Sequence, residues 1–85
     1  MIRVRCLGHI RTSVGADEVV LSVDSIAASE LVEKLRALSK EKNPGFNQFN
    51  TLALVGDGEA FVPASTVRVI RGGDRVVLIP FSHGG

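Results

Sequence analysis

The chain contains one cysteine, no tryptophan and no tyrosine, and each of these shortages excludes a class of protein. A single thiol, Cys6, cannot form an internal disulfide, and with His9 and His83 it falls short of a tetrahedral zinc site. Four scattered phenylalanines offer little for base stacking, and ten basic residues against nine acidic ones lack the positive excess of a nucleic-acid-binding domain. We therefore expect no bound metal or cofactor and no nucleic-acid partner.

Long apolar runs are also missing. Arg3, Arg5 and Arg11 interrupt residues 1–20, so this stretch lacks the continuous apolar segment of a signal peptide. No other stretch approaches the roughly 20 apolar residues that a membrane-spanning helix needs. We expect a cytoplasmic protein with no membrane partner. With 85 residues, 45% of them apolar, the chain suits one small domain with one core.

Two segments near the N-terminus alternate between apolar and polar residues, which is typical of half-buried β-strands. The apolar positions are Ile2, Val4 and Cys6 in the first segment, and Val19, Leu21 and Val23 in the second. Turn residues, among them Gly15, separate the two segments. The pattern predicts an antiparallel hairpin.

The apolar spacing changes to three and four residues between positions 24 and 42, which indicates an amphipathic helix. Its apolar stripe consists of Ala28, Leu31, Leu35 and Leu38. Asp24 or Ser25 is available to cap the start. Asn43-Pro44-Gly45 should end the helix, because proline has no N–H with which to continue it.

Further strands are predicted in the C-terminal half. Leu52 and Leu54 mark one, residues 59–62 form a short second one that Pro63 closes, and residues 75–80 read RVVLIP. A strand as apolar as residues 75–80 is typically found at the centre of a sheet. If the first strand lies beside this last strand and runs parallel to it, the chain between them must cross over through the helix. The predicted fold class is α+β, a mixed sheet of four to five strands with one main helix packed on one face.

The chain ends in IPFSHGG, after a Gly73-Asp74 turn and an apolar strand that reaches Pro80. This combination resembles the ubiquitin-like β-grasp family. The likeness is strongest to its sulfur-carrier branch: the small subunit of molybdopterin synthase, the thiamine-pathway sulfur carrier, the ubiquitin-related modifier and the archaeal small modifier proteins. The resemblance covers essentially the whole chain, and it implies a β-grasp domain over residues 1–79 and a flexible tail over residues 80–85.

In that family an ATP-dependent adenylating enzyme activates the terminal glycine carboxylate, which then takes up sulfur as a thiocarboxylate or is joined to a lysine. The resemblance implies that Gly85 reacts, that Gly84 is its required neighbour, and that the activating enzyme uses the ATP. The implied partners are that enzyme and either the large subunit of molybdopterin synthase or target proteins. Phe81, Ser82 and His83 replace the prolines and small residue common in the molybdopterin-type ending, so the pathway stays open.

The glycines suit the chemistry of such a terminus. An acyl-adenylate forms only when the carboxylate closely approaches the α-phosphate of ATP inside another protein, and nearby side chains would block that approach. Gly84 and Gly85 have no Cβ and accept φ of either sign. The residues from Pro80 onward reach roughly 20 Å when extended. Pro80, which has no N–H, is expected either to end the strand pairing or simply to mark the last ordered residue.

Strand alternation places Val77 and Ile79, and with them Val55, on the sheet face opposite the helix. These residues form a predicted docking patch for the activating enzyme or a synthase subunit; cover by a loop or a second copy is the alternative. Arginines are expected to flank the patch, where they either steer an acidic partner or form a solvated face: Arg3, Arg5, Arg68, Arg71 and Arg75.

Three functions remain open. The first is a sulfur carrier that delivers the Gly85 thiocarboxylate, the second a protein modifier joined to lysines through Gly85, and the third a non-covalent binding module with an incidental tail. Cys6 alternates with core residues, which indicates a buried, inert thiol. The sequence has no P-loop motif for ATP. We therefore expect a protein on which an enzyme acts, rather than an enzyme.

Overall fold

The computed structural model describes residues 1–39 and 45–81, so the predicted helix stop at Asn43-Pro44 lies outside the described residues. Short 3₁₀ turns at Ala28–Glu30 and Ala64–Thr66 interrupt the longer elements. In chain order, the helices and strands are β1 (Ile2–Cys6), α1 (Gly8–Val14), β2 (Glu18–Leu21), β3 (Ser25–Ala27), α2 (Leu31–Leu38), β4 (Thr51–Gly56), β5 (Phe61–Pro63), β6 (Val69–Arg71) and β7 (Arg75–Pro80).

Five strands form one mixed sheet in the order β2-β1-β7-β4-β5. The most apolar strand, β7, lies at its centre, parallel to β1 and antiparallel to β4. β1 also pairs with β2 in the predicted antiparallel sense. The prediction of an α+β fold with a mixed sheet and a central last strand is confirmed.

The core lies on one face of this sheet. The strand residues predicted to face the helix are buried: Ile2, Val4, Val76 and Leu78. From α2, Leu31 and Leu35 complete the buried layer, as their spacing predicts. Phe46 is also buried, although the sequence around it indicates only a loop.

The connection between β1 and β2 differs from the predicted turn, because it contains the helix α1. Ile10 and Val14 lie one helical turn apart and both enter the core. Gly15 ends the helix with a left-handed φ of 87°, and its N–H donates to Arg11 O. The spacing of Ile10 and Val14, followed by a glycine, is the sequence signal for this helix.

The main helix, α2, is shorter than predicted. Neither Asp24 nor Ser25 caps it, because β3 occupies this segment and pairs with β6 in a separate two-stranded sheet. Within α2, Val32 joins the buried stripe in place of Leu38, which is 49% exposed. No helix within residues 1–39 and 45–81 has the length and apolarity to cross a membrane.

Candidate functional site

β7 is the last strand before the C-terminal residues. Its final residue, Pro80, lies in register with Thr51 of β4. Backbone groups along a strand point alternately to its two neighbours. Since Leu7 N–H donates to Leu78 O, both Leu78 and Pro80 direct their backbone groups toward the β1 side. β1 has already ended beside Pro80, so the missing N–H breaks no pairing. The ladder does end at Pro80, as predicted, since its last pair joins Pro80 to Thr51, but the missing N–H is not the cause.

Phe81 continues the contact with the β4 side of the sheet. Its N–H donates to Asn50 O over 3.0 Å. The backbone is therefore held by hydrogen bonds beyond Pro80, the predicted first residue of the tail.

Asn50 is itself held by a reciprocal set of hydrogen bonds with Asn47. Asn47 N–H donates to Asn50 Oδ1 over 2.8 Å, and Asn47 Oδ1 accepts from the N–H groups of Phe49 and Asn50 at 2.7 and 3.1 Å. Thr51 Oγ1 also donates to Asn50 Oδ1 over 3.1 Å. Asparagine side chains that bond the backbone in this way fix a tight turn. Sequence reasoning missed both asparagines, although their spacing is a signal for such a turn.

Pro80 packs on its other side against the start of α1. Gly8 has a left-handed φ of 56°, and a Cβ built there would lie 2.7 Å from Pro80 Cγ. Glycine is thus required at this position both for its backbone conformation and for the room it leaves. The end of β7 is held between α1 and the asparagine turn.

The remaining predicted tail residues, Ser82, His83, Gly84 and Gly85, lie outside the described residues. Phe81 directly precedes them, is 41% exposed, and lines a groove of about 430 Å³ beside β4. Pro80 and Phe81, which the prediction assigns to the tail, are thus held at the end of the sheet.

The sheet face opposite the helices carries apolar side chains near this exit. Val77 and Ile79 lie on this open face, as predicted, and both are partly exposed. Their partners on β4 are Leu54 and Leu52. Because directly paired residues share a face, the four side chains form one surface, which we call the apolar strip. The strip extends along β7 toward Pro80, where the chain leaves the sheet.

Val55 does not belong to the apolar strip. It pairs with the core residue Val76 and is only 6% exposed. Because side chains alternate along a strand, a buried Val55 requires Leu54 to point to the open face. The prediction that Val55 lies on the open face is therefore wrong, and Leu52 and Leu54 lie there instead.

The open face also carries a basic depression of about 200 Å³, which we call the arginine pocket. Arg3 and Arg75 occupy paired positions on β1 and β7, so their side chains leave the sheet side by side. Arg68 and Arg71, also predicted to flank the patch, lie in or next to β6 and do not line this pocket. Its charged and aromatic lining residues are Arg3, Arg5, Arg75, Glu18 and Phe61.

This arrangement is similar to a solved structure, that of SAMP1 from Haloferax volcanii. The two match with a TM-score of 0.65 and 19% sequence identity, over 99% of this chain and 98% of that chain. The fold is the ubiquitin-like β-grasp. No protein-family model matches the chain, and no curated protein sequence matches it significantly. The likeness establishes the fold alone.

Two side chains of the described residues have shifted pKa values, Cys6 and Asp57. Cys6 belongs to the core and Asp57 to a turn. Cys6 is 1% exposed, and burial, aided by the charge of Asp17, raises its pKa to about 11, so the thiol is neutral near pH 7. Hydrogen bonds from the N–H groups of Glu59 and Ala60 lower the pKa of Asp57, which shapes the β4–β5 turn. No group of three metal-ligating side chains forms within residues 1–39 and 45–81.

Proposed function

We propose that this chain is a β-grasp carrier whose Gly85 carboxylate is activated by an ATP-dependent adenylating enzyme. The observation that carries the proposal is the anchored exit of the chain: β7 is held through Phe81, and the sequence then continues Ser-His-Gly-Gly. The residues after Phe81 span roughly 14 Å when extended. That length lets the carboxylate enter a partner's site while the domain stays outside as a handle.

The chemistry needs only the carboxylate from this chain. One oxygen of Gly85 attacks the α-phosphorus of ATP and pyrophosphate leaves, which gives an acyl-adenylate. A persulfide sulfur on a donor protein then attacks the carbonyl carbon, and AMP leaves. This attack forms a C–S bond and leaves an acyl disulfide, and a second thiol of the donor then attacks the donor's own sulfur and cleaves the S–S bond that the persulfide brought. The donor ends as a disulfide and Gly85 as a thiocarboxylate. Side chains at positions 84 and 85 would obstruct both displacements.

The proposal has two forms that share the activation step. In the first, the thiocarboxylate donates sulfur within a synthase, as the small subunit of molybdopterin synthase does. In the second, the activated Gly85 is joined to lysines of target proteins. The likeness to SAMP1, a small archaeal modifier, favours keeping this second form. Both forms need ATP and therefore a cytoplasmic protein.

We assign docking of the adenylating enzyme to the apolar strip. Val77 and Ile79 bring it to the end of β7, so a partner seated there meets the tail at its origin. Exposed apolar side chains grouped on one face are typical of protein interaction sites. The enzyme thus holds the rigid domain while the carboxylate enters its active site.

Intact-mass spectrometry of the protein purified from its native cell tests the first form. We expect a gain of about 16 Da confined to the C-terminal peptide, because one sulfur replaces one oxygen. A variant that lacks Gly84 and Gly85 is the matched control and should show no gain.

A tryptic digest of the same cells tests the second form. Arg75 is the last basic residue at which trypsin cleaves, so a conjugated lysine would carry residues 76–85 as a branch. If neither mass change is found and the truncated variant functions normally, both forms are contradicted. A non-covalent binding module would then remain.

A further inference from the structure

The arginine pocket has no role in the activation chemistry, yet it concentrates positive charge. Arg3, Arg5 and Arg75 contribute three guanidinium groups, and Glu18 is the one carboxylate among the lining residues. Within the part of the chain that the structure describes, no ion pair involves any of these three arginines. Their charge is therefore available to a group outside the chain.

Arg5 lies opposite Glu18 of β2, a favourable cross-strand pair, but the placement of Arg3 beside Arg75 does not serve the stability of the sheet. Arg3 and Arg75 occupy paired positions, where like charges repel each other. Arg75 also packs over the β4–β5 turn, with its Nη1 3.2 Å from the position that a Cβ of Gly58 would take. Asp57, the carboxylate just before Gly58, accepts hydrogen bonds from its own turn. Among the described residues no ion pair joins Asp57 to Arg75, so the guanidinium of Arg75 can still bind a carboxylate of a partner.

The arginine pocket and the apolar strip are parts of one surface. Val77 belongs to both, because it lines the pocket and pairs with Leu54. Gly56 lies between Arg75 and Phe61 across the sheet, and the Ala60 carbonyl and the Phe61 ring fill the space that a side chain there would need. A small anion would cover the pocket and leave the strip exposed. A protein surface with carboxylates beside an apolar area would cover both.

We propose that the arginine pocket binds an acidic segment, rich in aspartate or glutamate, on the protein that docks on the apolar strip. This inference rests on the proposed function, in which that protein is the adenylating enzyme. A guanidinium group binds a carboxylate through two parallel hydrogen bonds, so the arginines select a partner of opposite charge. Their attraction also accelerates the encounter and weakens as salt rises.

The experiment measures adenylation by the cognate enzyme as ATP–pyrophosphate exchange at several carrier and salt concentrations. For Arg3→Glu and Arg75→Glu, we expect the KM for the carrier to rise about tenfold or more while kcat stays within about twofold. The salt dependence of kcat/KM should flatten in both. Arg68→Glu is the matched control: it reverses the same charge at an exposed arginine outside the pocket and should leave KM unchanged. Circular dichroism checks that each variant is folded.

The outcomes separate this inference from the proposed function. Exchange with an equal KM for the wild type and all variants overturns the pocket assignment and leaves the carrier function standing. No exchange with the wild type, together with an unmodified Gly85 in cells, overturns both. Saturable binding of inorganic phosphate or of a single-stranded oligonucleotide at the pocket, lost in Arg3→Glu, overturns the choice of an acidic protein.

Discussion

The N–H of Phe81 donates to Asn50 O over 3.0 Å, which ties the last described residue of the chain to the turn that leads into β4. Everything after Phe81 belongs to the proposed reactive tail. Because Asn47 holds Asn50, a turn distant in sequence sets the point from which the tail departs. A fixed departure point limits the volume that the terminal carboxylate samples, and so reduces the entropy lost when it enters a partner's site.

Replacing Asn47 with alanine should loosen this exit. The change removes the oxygen that accepts hydrogen bonds from Phe49 and Asn50, and each such bond contributes about 1 kcal/mol. We expect faster hydrogen exchange at the Phe81 amide, measured by NMR. Asn47→Asp keeps an acceptor oxygen and serves as the control. Equal exchange rates in the two variants would show that the turn does not hold the exit.

Gly8→Ala should destabilise the protein more than Gly73→Ala. Both glycines have a left-handed φ, 56° and 95°, where alanine is strained by roughly 1–2 kcal/mol. Only at Gly8 does the added methyl group meet a neighbour, since Pro80 Cγ lies 2.7 Å away and nothing lies within 4 Å at Gly73. Chemical denaturation measures both free energies of unfolding. Pro80→Ala should recover part of the Gly8→Ala loss, whereas full additivity would argue against the contact.

Phe46→Ala should lower the free energy of unfolding far more than Phe49→Ala. Phe46 is 1% exposed and belongs to the core, whereas Phe49 is 73% exposed. Truncation of a buried phenylalanine costs about 3–5 kcal/mol, and most surface substitutions stay within about 0.5 kcal/mol. Urea titration followed by circular dichroism compares the two variants. Similar losses would exclude Phe46 from the core.

Stability should decline between about pH 9 and pH 11 because of Cys6, whose pKa rises from 9.0 to about 11 on burial. In this range the unfolded chain has released the thiol proton while the folded chain keeps it, so rising pH favours unfolding. The contribution is fully present below pH 9 and lost through the folded-state pKa of about 11. Cys6→Ala should lack this decline when the free energy of unfolding is measured across the range. The same decline in both proteins would assign it to other groups.

Ile79→Ser should weaken docking of the adenylating enzyme on the apolar strip. Loss of an apolar contact in an interface costs on the order of 1 kcal/mol, so we expect the KM for the carrier to rise about fivefold. Val69→Ser is the control, because Val69 is 42% exposed but lies on β6, outside the strip. Equal KM values for the two variants would place the docking surface elsewhere.

Strand register decided which residues of β4 belong to the open face. From the sequence, Leu52 and Leu54 share one face and Val55 lies on the other. Leucine and valine are equally suited to a core, so alternation alone does not say which face is covered. The pairing of Val55 with the core residue Val76 settles it.

The elements that sequence reasoning missed depend on partners far along the chain. Ile26 precedes residues at helical spacing, yet it pairs with the buried Ile70 in β3 and β6, a contact that local pattern does not reveal. The helix α1 is too short to be stable alone. It forms because Ile10 and Val14 are buried against the rest of the domain.

The sequence by itself determined the alternation of the first strand, the apolar character of the central strand and the side-chain-free ending. These features depend only on the order of neighbouring residues. The tertiary structure alone decided that Arg3 and Arg75 meet in one pocket and that Phe81 is tied to Asn50. Such contacts join residues distant in sequence, and they exist only after the strands have paired in a single register.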